Sequence, residues 1–302
     1  MSIAFLFPGQ GSQQVGMGSK LYQNEPASRA VFDQADDLLG FPLSDLCFNG
    51  PDEELTDTVN QQPALFVNSI ATLRAMEDHG TPMADYVAGH SLGEFSALVA
   101  CGSLNFDDGL ALVQHRGTLM KKAGQDKPGA MAAILGLDVS EAREICRQAQ
   151  NKTGQPLQIA NDNCPGQVVI SGNGESLEEA IQMAADARAR KIIRLPISIA
   201  AHSPLMKSAA ESFSIILDET PIAPPKVPII GNVSASPLET PEEIKEDLKK
   251  QLTSPVMWTD SMEHLLKRGV DTFYEIGTGS VLLGLLKRID RQATRVKWDS
   301  PF

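Results

Sequence analysis

The chain has 302 residues and carries 26 Lys and Arg against 38 Asp and Glu, so its formal net charge is −12 and its pI is about 4.9. Such an acidic balance argues against nucleic acid as a partner, because phosphate recognition needs clustered Lys and Arg. The four cysteines form no CxxC pair and have no zinc-finger spacing to histidine, which argues against a metal site or a disulfide framework. No apolar run approaches the roughly 20 residues of a membrane-spanning helix, so we expect a globular cytoplasmic protein.

The first part of the chain alternates short apolar runs with amphipathic stretches. The apolar runs predict strands at residues 3–7 and 86–88, each followed by a glycine turn. Apolar residues at helical spacing predict four helices, at residues 27–39, 61–78, 94–101 and 107–123. Strands that alternate with helices are typical of a mostly parallel sheet covered on both faces.

The pattern changes after residue 124 to the order β-α-β-β-α-β. The predicted elements are residues 130–137, 140–150, 157–160, 167–171, 177–189 and 191–195. This order is the split βαβ pattern of a ferredoxin-like unit. We therefore predict an α/β protein in which a ferredoxin-like domain, residues 125–198, is inserted into a large domain of residues 1–124 and 199–302.

The large domain then resumes the alternation of helices and strands. Helices are predicted at residues 204–217, 241–252, 258–268 and 281–290, and strands at residues 227–232 and 272–276.

A Gly-His-Ser-Leu-Gly motif at residues 89–93 lies between a predicted strand and a predicted helix. This G-x-S-x-G context is that of a nucleophile elbow, whose turn is too sharp for flanking side chains. The motif places Ser91 at a helix N-terminus, where the backbone N–H of Leu92 can stabilise an oxyanion. Chance is the alternative, since G-x-S-x-G occurs in about one chain in ten of this length. The strand–turn–helix setting favours a catalytic serine.

A catalytic serine needs a base. Three of the five histidines fall in predicted helices or at a helix end, and His90 is expected to point away from its neighbour Ser91. His202 follows the inserted domain, at the lip of a possible interdomain cleft, and is the best candidate, although a lone loop histidine is usually only solvated. The order Ser before His suits a hydrolase-like arrangement. No acid between the two stands out as an orienting group, so a backbone carbonyl can take that role.

Two further features have open interpretations. Residues 8–12 resemble a phosphate-binding loop, but they lack both the third glycine of one such motif and the lysine of the other. They therefore form either a plain turn or a loop in which the N–H of Gln10 is a second oxyanion donor. Arg116 lies in a helix whose apolar stripe is expected to be buried. It either snorkels to the surface or clamps a substrate carboxylate with its guanidinium.

Together these motifs resemble those of malonyl-CoA:acyl-carrier-protein transacylases, the acyltransferases of fatty-acid and polyketide synthesis. The resemblance covers essentially the whole chain. It is carried by Phe-Pro-Gly-Gln-Gly-Ser-Gln at 7–13, the motif at 89–93 with Glu94, Arg116-Gly117 before Met120, the Asn- and Pro-containing run at 161–172, His202-Ser203, and Tyr-Glu-Ile-Gly at 274–277. It implies a ping-pong transfer of malonyl from malonyl-CoA, through an acyl-serine, to the phosphopantetheine thiol of an acyl carrier protein, with no cofactor of the enzyme's own.

The resemblance also implies a role for each site residue. Ser91 is the nucleophile, His202 is the base, and the main-chain carbonyl of Gln251 orients that base. The N–H groups of Gln10 and Leu92 form the oxyanion hole, and Arg116 binds the substrate carboxylate. The pocket is lined by His90, Met120, Asn161 and Ala201. Malonyl-specific members often carry Phe at the position of Ala201. The smaller side chain predicts a wider acyl pocket, which leaves a bulkier extender unit such as methylmalonyl as an alternative.

Other functions remain open at this point. Arg116 argues against an acyl hydrolase on the same scaffold. The intact set of Ser91, His202 and Arg116 argues against a non-catalytic docking subunit. An acidic carrier protein needs a basic docking patch, for which residues 188–194 are favoured over residues 287–297. A monomer is expected, since no long apolar surface stripe is evident.

Overall fold

Two β-sheets organise the chain. The structure is a computed structural model that describes residues 2–298, so residues 1 and 299–302, which belong to the predicted large domain, lie outside the described residues. The larger sheet has the strand order β11-β10-β1-β2-β7-β8. Its strands are β1 (Ile3–Phe7), β2 (Tyr86–Gly89), β7 (Ile229–Ile230), β8 (Pro237–Leu238), β10 (Thr272–Glu275) and β11 (Thr294–Lys297). All neighbouring pairs in it are parallel except β7 and β8.

Strand β1 shows why this sheet is central. All five of its residues are buried, as expected for a parallel strand covered on both faces. Ile3, Phe5 and Phe7 pack into one apolar layer, whereas Ala4 and Leu6 pack into the opposite one. Phe7 is the register partner of Gly89, so the loops after β1 and β2 leave the same edge of the sheet side by side.

Helices cover both faces of the larger sheet. They are α1 (Ser19–Asn24), α2 (Pro26–Leu39), α3 (Leu43–Asn49), α4 (Asp52–Thr56), α5 (Thr58–Asp78), α6 (Gly93–Ala100), α7 (Phe106–Asp126), α10 (Lys207–Glu219), α11 (Pro241–Gln251), α12 (Trp258–Lys267) and α13 (Val281–Ile289), with a 3₁₀ turn at Pro204–Met206. Among residues 2–298, no helix is long and apolar enough to cross a membrane.

The second sheet has the order β6-β3-β5-β4-β9. Its strands are β3 (Ala130–Leu135), β4 (Leu157–Cys164), β5 (Gln167–Gly172), β6 (Lys191–Arg194) and β9 (Val256–Met257), and its helices are α8 (Val139–Thr153) and α9 (Gly174–Asp186). The pairs β3–β5, β3–β6 and β4–β5 are antiparallel. The predicted α/β class is thus confirmed, with a hydrolase-like, mostly parallel sheet and a ferredoxin-like unit. The exact domain boundaries stay a prediction, and β9 joins the second sheet from beyond them.

Two predicted elements have the wrong bounds for identifiable reasons. The strand predicted at 157–160 extends to Cys164, because the polar residues Asn161, Asp162 and Asn163 are buried and part of this stretch pairs with β9. The helix predicted at 177–189 begins at Gly174, because the Asn173 side chain accepts a hydrogen bond from the N–H of Glu175 and caps it. The short helices α1, α3 and α4 were not predicted.

Candidate active site

Ser91 lies in a sharp turn between β2 and α6. Its φ is +53°, a left-handed conformation that non-glycine residues seldom adopt. A Cβ at Gly89 would come within 2.0 Å of the Gly93 backbone, and a Cβ at Gly93 within 2.0 Å of the Phe7 carbonyl oxygen. Only glycine therefore fits on either side of the serine, as an elbow requires.

The Asn232 side chain braces this turn from the neighbouring strand. Its Oδ1 accepts a hydrogen bond from the Ser91 N–H at 2.7 Å, and its Nδ2 donates to the Gly89 carbonyl at 2.7 Å. Asn232 is buried and lies just after β7. From the sequence alone, Asn232 was only the last residue of a predicted strand. The available signal was an amide residue at the carboxyl end of a parallel strand, where sites of α/β proteins form.

His202 meets the Ser91 hydroxyl, although 111 positions separate the two residues. Its Nε2 lies 2.8 Å from Ser91 Oγ, and its Nδ1 lies 2.8 Å from the Gln251 carbonyl and 3.2 Å from the Ser254 carbonyl. Because both partners of Nδ1 only accept, the ring proton is on Nδ1 and Nε2 is free to accept the serine proton. Burial, reinforced by the charge of Arg116, lowers the pKa of His202 to about 3, so the imidazole is neutral at physiological pH.

The loop that carries His202 is held from the second sheet. Gln158, on β4, donates from Nε2 to the His202 carbonyl at 2.7 Å and to the Thr253 carbonyl at 3.0 Å. His202 itself has a φ of +57° and is only 3% exposed. The histidine is therefore a fixed, buried group and not a solvated loop residue.

Arg116 is buried against the same hydroxyl. Its Nη2 donates to Ser91 Oγ at 3.1 Å and to Gln251 Oε1 at 2.8 Å, and its Nη1 donates to Gln62 Oε1 at 3.0 Å. Its guanidinium carbon also lies 5.8 Å from the centre of the Phe95 ring, a cation–π distance. Burial lowers the pKa of Arg116 to about 10, which leaves it charged at neutral pH.

The Arg116 guanidinium has hydrogen-bond partners but no anionic partner in the described residues. Within residues 2–298 no carboxylate forms an ion pair with it, and its Nε has no hydrogen-bond partner. A buried cation without a direct anionic partner, 3.1 Å from a nucleophile, suits the binding of an anionic substrate group.

The two predicted oxyanion donors lie on adjacent loops. A Cβ at Gly9 would come within 2.3 Å of the His90 carbonyl oxygen, so the loop that contains Gln10 packs directly on the Ser91 turn. In the described part of the chain, the backbone N–H groups of Gln10 and Leu92 donate to no other residue. Both are therefore available to a bound oxyanion.

One cavity of about 570 Å³ joins these groups. Its lining includes Ser91, His202 and Gln10 together with all four predicted pocket residues, His90, Met120, Asn161 and Ala201. His90 bonds through Nε2 to Asn163 Oδ1 at 2.8 Å, away from Ser91. Apolar side chains, among them Met131, Leu195 and Ile197, form much of the remaining wall. Arg116 and Gln251 are buried, 1% exposed each, and reach the site through Ser91 and His202.

Within residues 2–298 no group of three or more His, Cys, Asp or Glu side chains could hold a metal ion.

The same fold and similar sequences occur in known proteins. Residues 4–298 match the family model described as acyl transferase domain. A malonyl CoA-acyl carrier protein transacylase of Bacillus subtilis (strain 168) is 47% identical over 300 residues, which cover 99% of this chain and 94% of that protein. The solved malonyl CoA-acyl carrier protein transacylase of Coxiella burnetii matches with a TM-score of 0.96 and 40% identity, over 98% of this chain and 93% of that one. A malonyl-transacylase solved in complex with its type II polyketide synthase acyl-carrier protein matches with a TM-score of 0.96 and 38% identity, over 99% and 96%.

Proposed function

The chain belongs to the acyl transferase family, and from that premise we propose that it transfers malonyl from malonyl-CoA to the phosphopantetheine thiol of an acyl carrier protein. The relatives named above are transacylases for these two substrates. One observation carries the proposal to this chain: the Ser91 hydroxyl lies 2.8 Å from a neutral imidazole and 3.1 Å from a buried guanidinium. The first group activates the serine, and the second suits an acyl group that bears a carboxylate.

In the first half-reaction Ser91 Oγ attacks the thioester carbonyl of malonyl-CoA while His202 Nε2 takes its proton. The N–H groups of Gln10 and Leu92 stabilise the oxyanion that forms. The imidazolium keeps its orientation through its Nδ1–H bond to the Gln251 carbonyl, 2.8 Å away. Collapse of the intermediate breaks the C–S bond, and the imidazolium returns the proton to the departing CoA sulfur.

In the second half-reaction the phosphopantetheine thiol gives its proton to His202 and attacks the malonyl-serine ester. The imidazolium then protonates Ser91 Oγ as the C–O bond breaks, which restores the enzyme. The cycle needs no cofactor of the enzyme's own, since CoA and phosphopantetheine belong to its substrates. The cytoplasmic location and the monomeric state remain predictions from the sequence.

Mass spectrometry of the intact protein tests this function. After mixing with malonyl-CoA the protein is expected to gain one malonyl group, and adding a holo acyl carrier protein is expected to remove it. Steady release of CoA without any carrier protein would instead identify an acyl hydrolase. Parallel reactions with methylmalonyl-CoA test the alternative extender unit, which the small Ala201 side chain in the cavity wall favours.

The carrier protein has a basic path to the cavity. Arg188, Arg190 and Lys191 are exposed and have no ion-pair partner in the described residues, whereas Arg194 pairs with Glu178. Strand β6, which contains Lys191, leads into Leu195 and Ile197 of the cavity wall.

The basic cluster at residues 287–297 lies next to the one at residues 188–194. A Cβ at Gly136 would lie 2.8 Å from the Arg190 Cβ, and one at Gly166 would lie 3.9 Å from the Gly136 Cα. The Gly166 carbonyl accepts a hydrogen bond from Arg288 Nη2 at 3.2 Å. Arg190 and Arg288 thus flank one patch at the edge of the second sheet.

Charge reversal tests this docking patch. Arg190→Glu with Lys191→Glu is expected to raise the apparent Michaelis constant for the carrier protein by about tenfold at low salt, because rim charges govern encounter. Malonyl-CoA loading is expected to stay unchanged. The matched control is Lys267→Glu with Arg268→Glu, an exposed pair at the end of α12, before β10. An unchanged constant in the first variant, or an equal rise in both, would remove the patch from carrier binding.

The low pKa of His202 predicts an unusual pH profile. A base with the ordinary pKa of 6.5 loses activity about 25-fold between pH 7 and pH 5, whereas a pKa of about 3 leaves the imidazole neutral over this range. Single-turnover loading of Ser91 is therefore expected to change less than about twofold. The free energy of unfolding, in contrast, depends on pH over this range. Because the unfolded state binds a proton that the folded state does not, stability falls as the pH drops from about 6.5 towards 3. Circular dichroism at pH 5 is the control that checks whether the protein is still folded. A loading rate that falls with a midpoint near pH 6.5 would contradict the prediction.

A further inference from the structure

The Gln251 side chain connects three groups behind the nucleophile. Its Oε1 accepts from Arg116 Nη2 at 2.8 Å, and its Nε2 donates to the Ser91 carbonyl at 3.0 Å and to Glu94 Oε2. A guanidinium only donates and a peptide carbonyl only accepts, so the orientation of this amide is fixed. In the proposed mechanism only the backbone carbonyl of Gln251 acts, as the partner of His202 Nδ1.

Glu94 is completely buried three residues after Ser91, with 0% of its surface exposed. Oε2 receives the Gln251 amide, and Oε1 receives the Asn232 backbone N–H at 3.2 Å. A protonated carboxyl would also need an acceptor for its own proton, and in the described residues both partners of the Glu94 side chain are donors, so the hydrogen-bond pattern favours the carboxylate. Burial, and after it the charge of nearby Asp247, raises the pKa of Glu94 well above its usual range, whereas its two N–H donors and Arg116 oppose that rise.

A buried cation and a buried anion thus face each other across one amide group. Neither Arg116 nor Glu94 has a direct ion-pair partner in the described residues, and each would be costly to bury alone. The Gln251 amide accepts from the first and donates to the second, so its dipole is aligned with both charges.

We propose that Glu94 is the resident counter-ion of Arg116, linked to it through the Gln251 amide, and that it sets how strongly the site prefers an acyl group with a carboxylate. This inference rests on the proposed function. With an ionised Glu94, the pair of Arg116 and Glu94 is neutral in the empty site and becomes anionic when malonyl enters. Without that charge, Arg116 is left cationic and malonyl neutralises it. Glu94 is therefore a positioning and specificity-determining residue that stabilises the empty site and moderates the hold on malonyl.

Glu94→Gln tests the proposal through substrate selectivity. The ratio of kcat/KM for malonyl-CoA to that for acetyl-CoA is expected to rise about tenfold, the scale of removing one charge about 10 Å away at an effective dielectric constant of about 20. The matched control is Glu275→Gln. Glu275 is equally buried and accepts two N–H groups, those of Leu282 at 3.1 Å and Leu283 at 3.0 Å, at the start of α13. The control is expected to lower the melting temperature without moving the ratio.

A stability cycle covers the case in which Glu94→Gln alone fails to fold. Adding Glu94→Gln to Arg116→Ala is expected to keep or raise the melting temperature, because it removes an anion that has lost its counter-ion. A further loss in the double variant, or an unchanged or lower selectivity ratio in the single one, overturns the proposal. Failure of the proposed function looks different, since wild-type Ser91 would then not load malonyl at all.

Discussion

Ser91→Ala is expected to abolish malonyl loading and to lower transfer to the carrier protein by about a thousandfold or more, the range seen when a catalytic nucleophile is removed. Among residues 2–298, the hydroxyl that His202 Nε2 contacts is Ser91 Oγ, at 2.8 Å. The measurement is intact mass after exposure to malonyl-CoA, together with the rate of malonyl transfer. His202→Ala is expected to cause a loss of similar size, and the double variant little more, because nucleophile and base act as one unit.

The control for this prediction is Ser171→Ala. Ser171 Oγ is buried in the second sheet and has no hydrogen-bond partner in the described residues, so its removal leaves no group unpaired. This variant is expected to load malonyl at the wild-type rate. Malonyl addition at another residue of Ser91→Ala would show that the nucleophile had been assigned wrongly.

The parts of the site that the sequence predicts are those written in local patterns. The motif at 89–93 forms the expected elbow because both glycines are enforced by contacts of about 2.0 Å with neighbouring backbone. The β-α-β-β-α-β order likewise follows from local apolar periodicity. For the turn at residues 89–93 and the ferredoxin-like unit, local rules and the final packing agree, so the expected elements form.

The parts that the sequence does not predict depend on long-range contacts. Asn232 reaches Ser91 across 141 positions, and Gln251 reaches Glu94 across 157. Gln62, which holds Arg116, lies in the helix α5, whose polar residues there are buried together with apolar ones. Such amides look like ordinary surface residues in a sequence, because only tertiary packing reveals the partner that makes them useful.

The inserted unit shows the same limit in its strands. A predicted loop at Asn161–Asn163 is strand in the structure because these polar side chains find partners: Asn163 bonds to His90, and Asp162 accepts from Thr259 at 2.7 Å. Asn161 pairs in register with Val256, from far along the chain. Local propensity disfavours a strand in these residues, yet Asn161 lines the cavity and Asn163 holds His90.

Arg116→Ala is expected to move the acyl preference from malonyl towards acetyl. Leaving the substrate carboxylate without its buried partner costs about 2–5 kcal/mol, or about thirtyfold to several thousandfold in kcat/KM for malonyl-CoA. Acetyl-CoA has no such carboxylate, so its rate reports only the lost contact with Ser91 Oγ, 3.1 Å from Nη2. The measurement is the pair of specificity constants for loading, each determined in single-turnover experiments.

The matched control is Arg116→Lys, which keeps the charge but cannot contact Gln62, Gln251 and Ser91 at once as the guanidinium does. It is expected to retain part of the malonyl preference. The two variants also show whether the charge of Arg116 or its shape matters for His202, because that charge lowers the pKa of the imidazole. The acid limb of loading is therefore expected to move to higher pH in Arg116→Ala and to stay in place in Arg116→Lys. If the malonyl-to-acetyl ratio is the same in all three proteins, Arg116 does not bind the carboxylate, and its charge serves only the histidine.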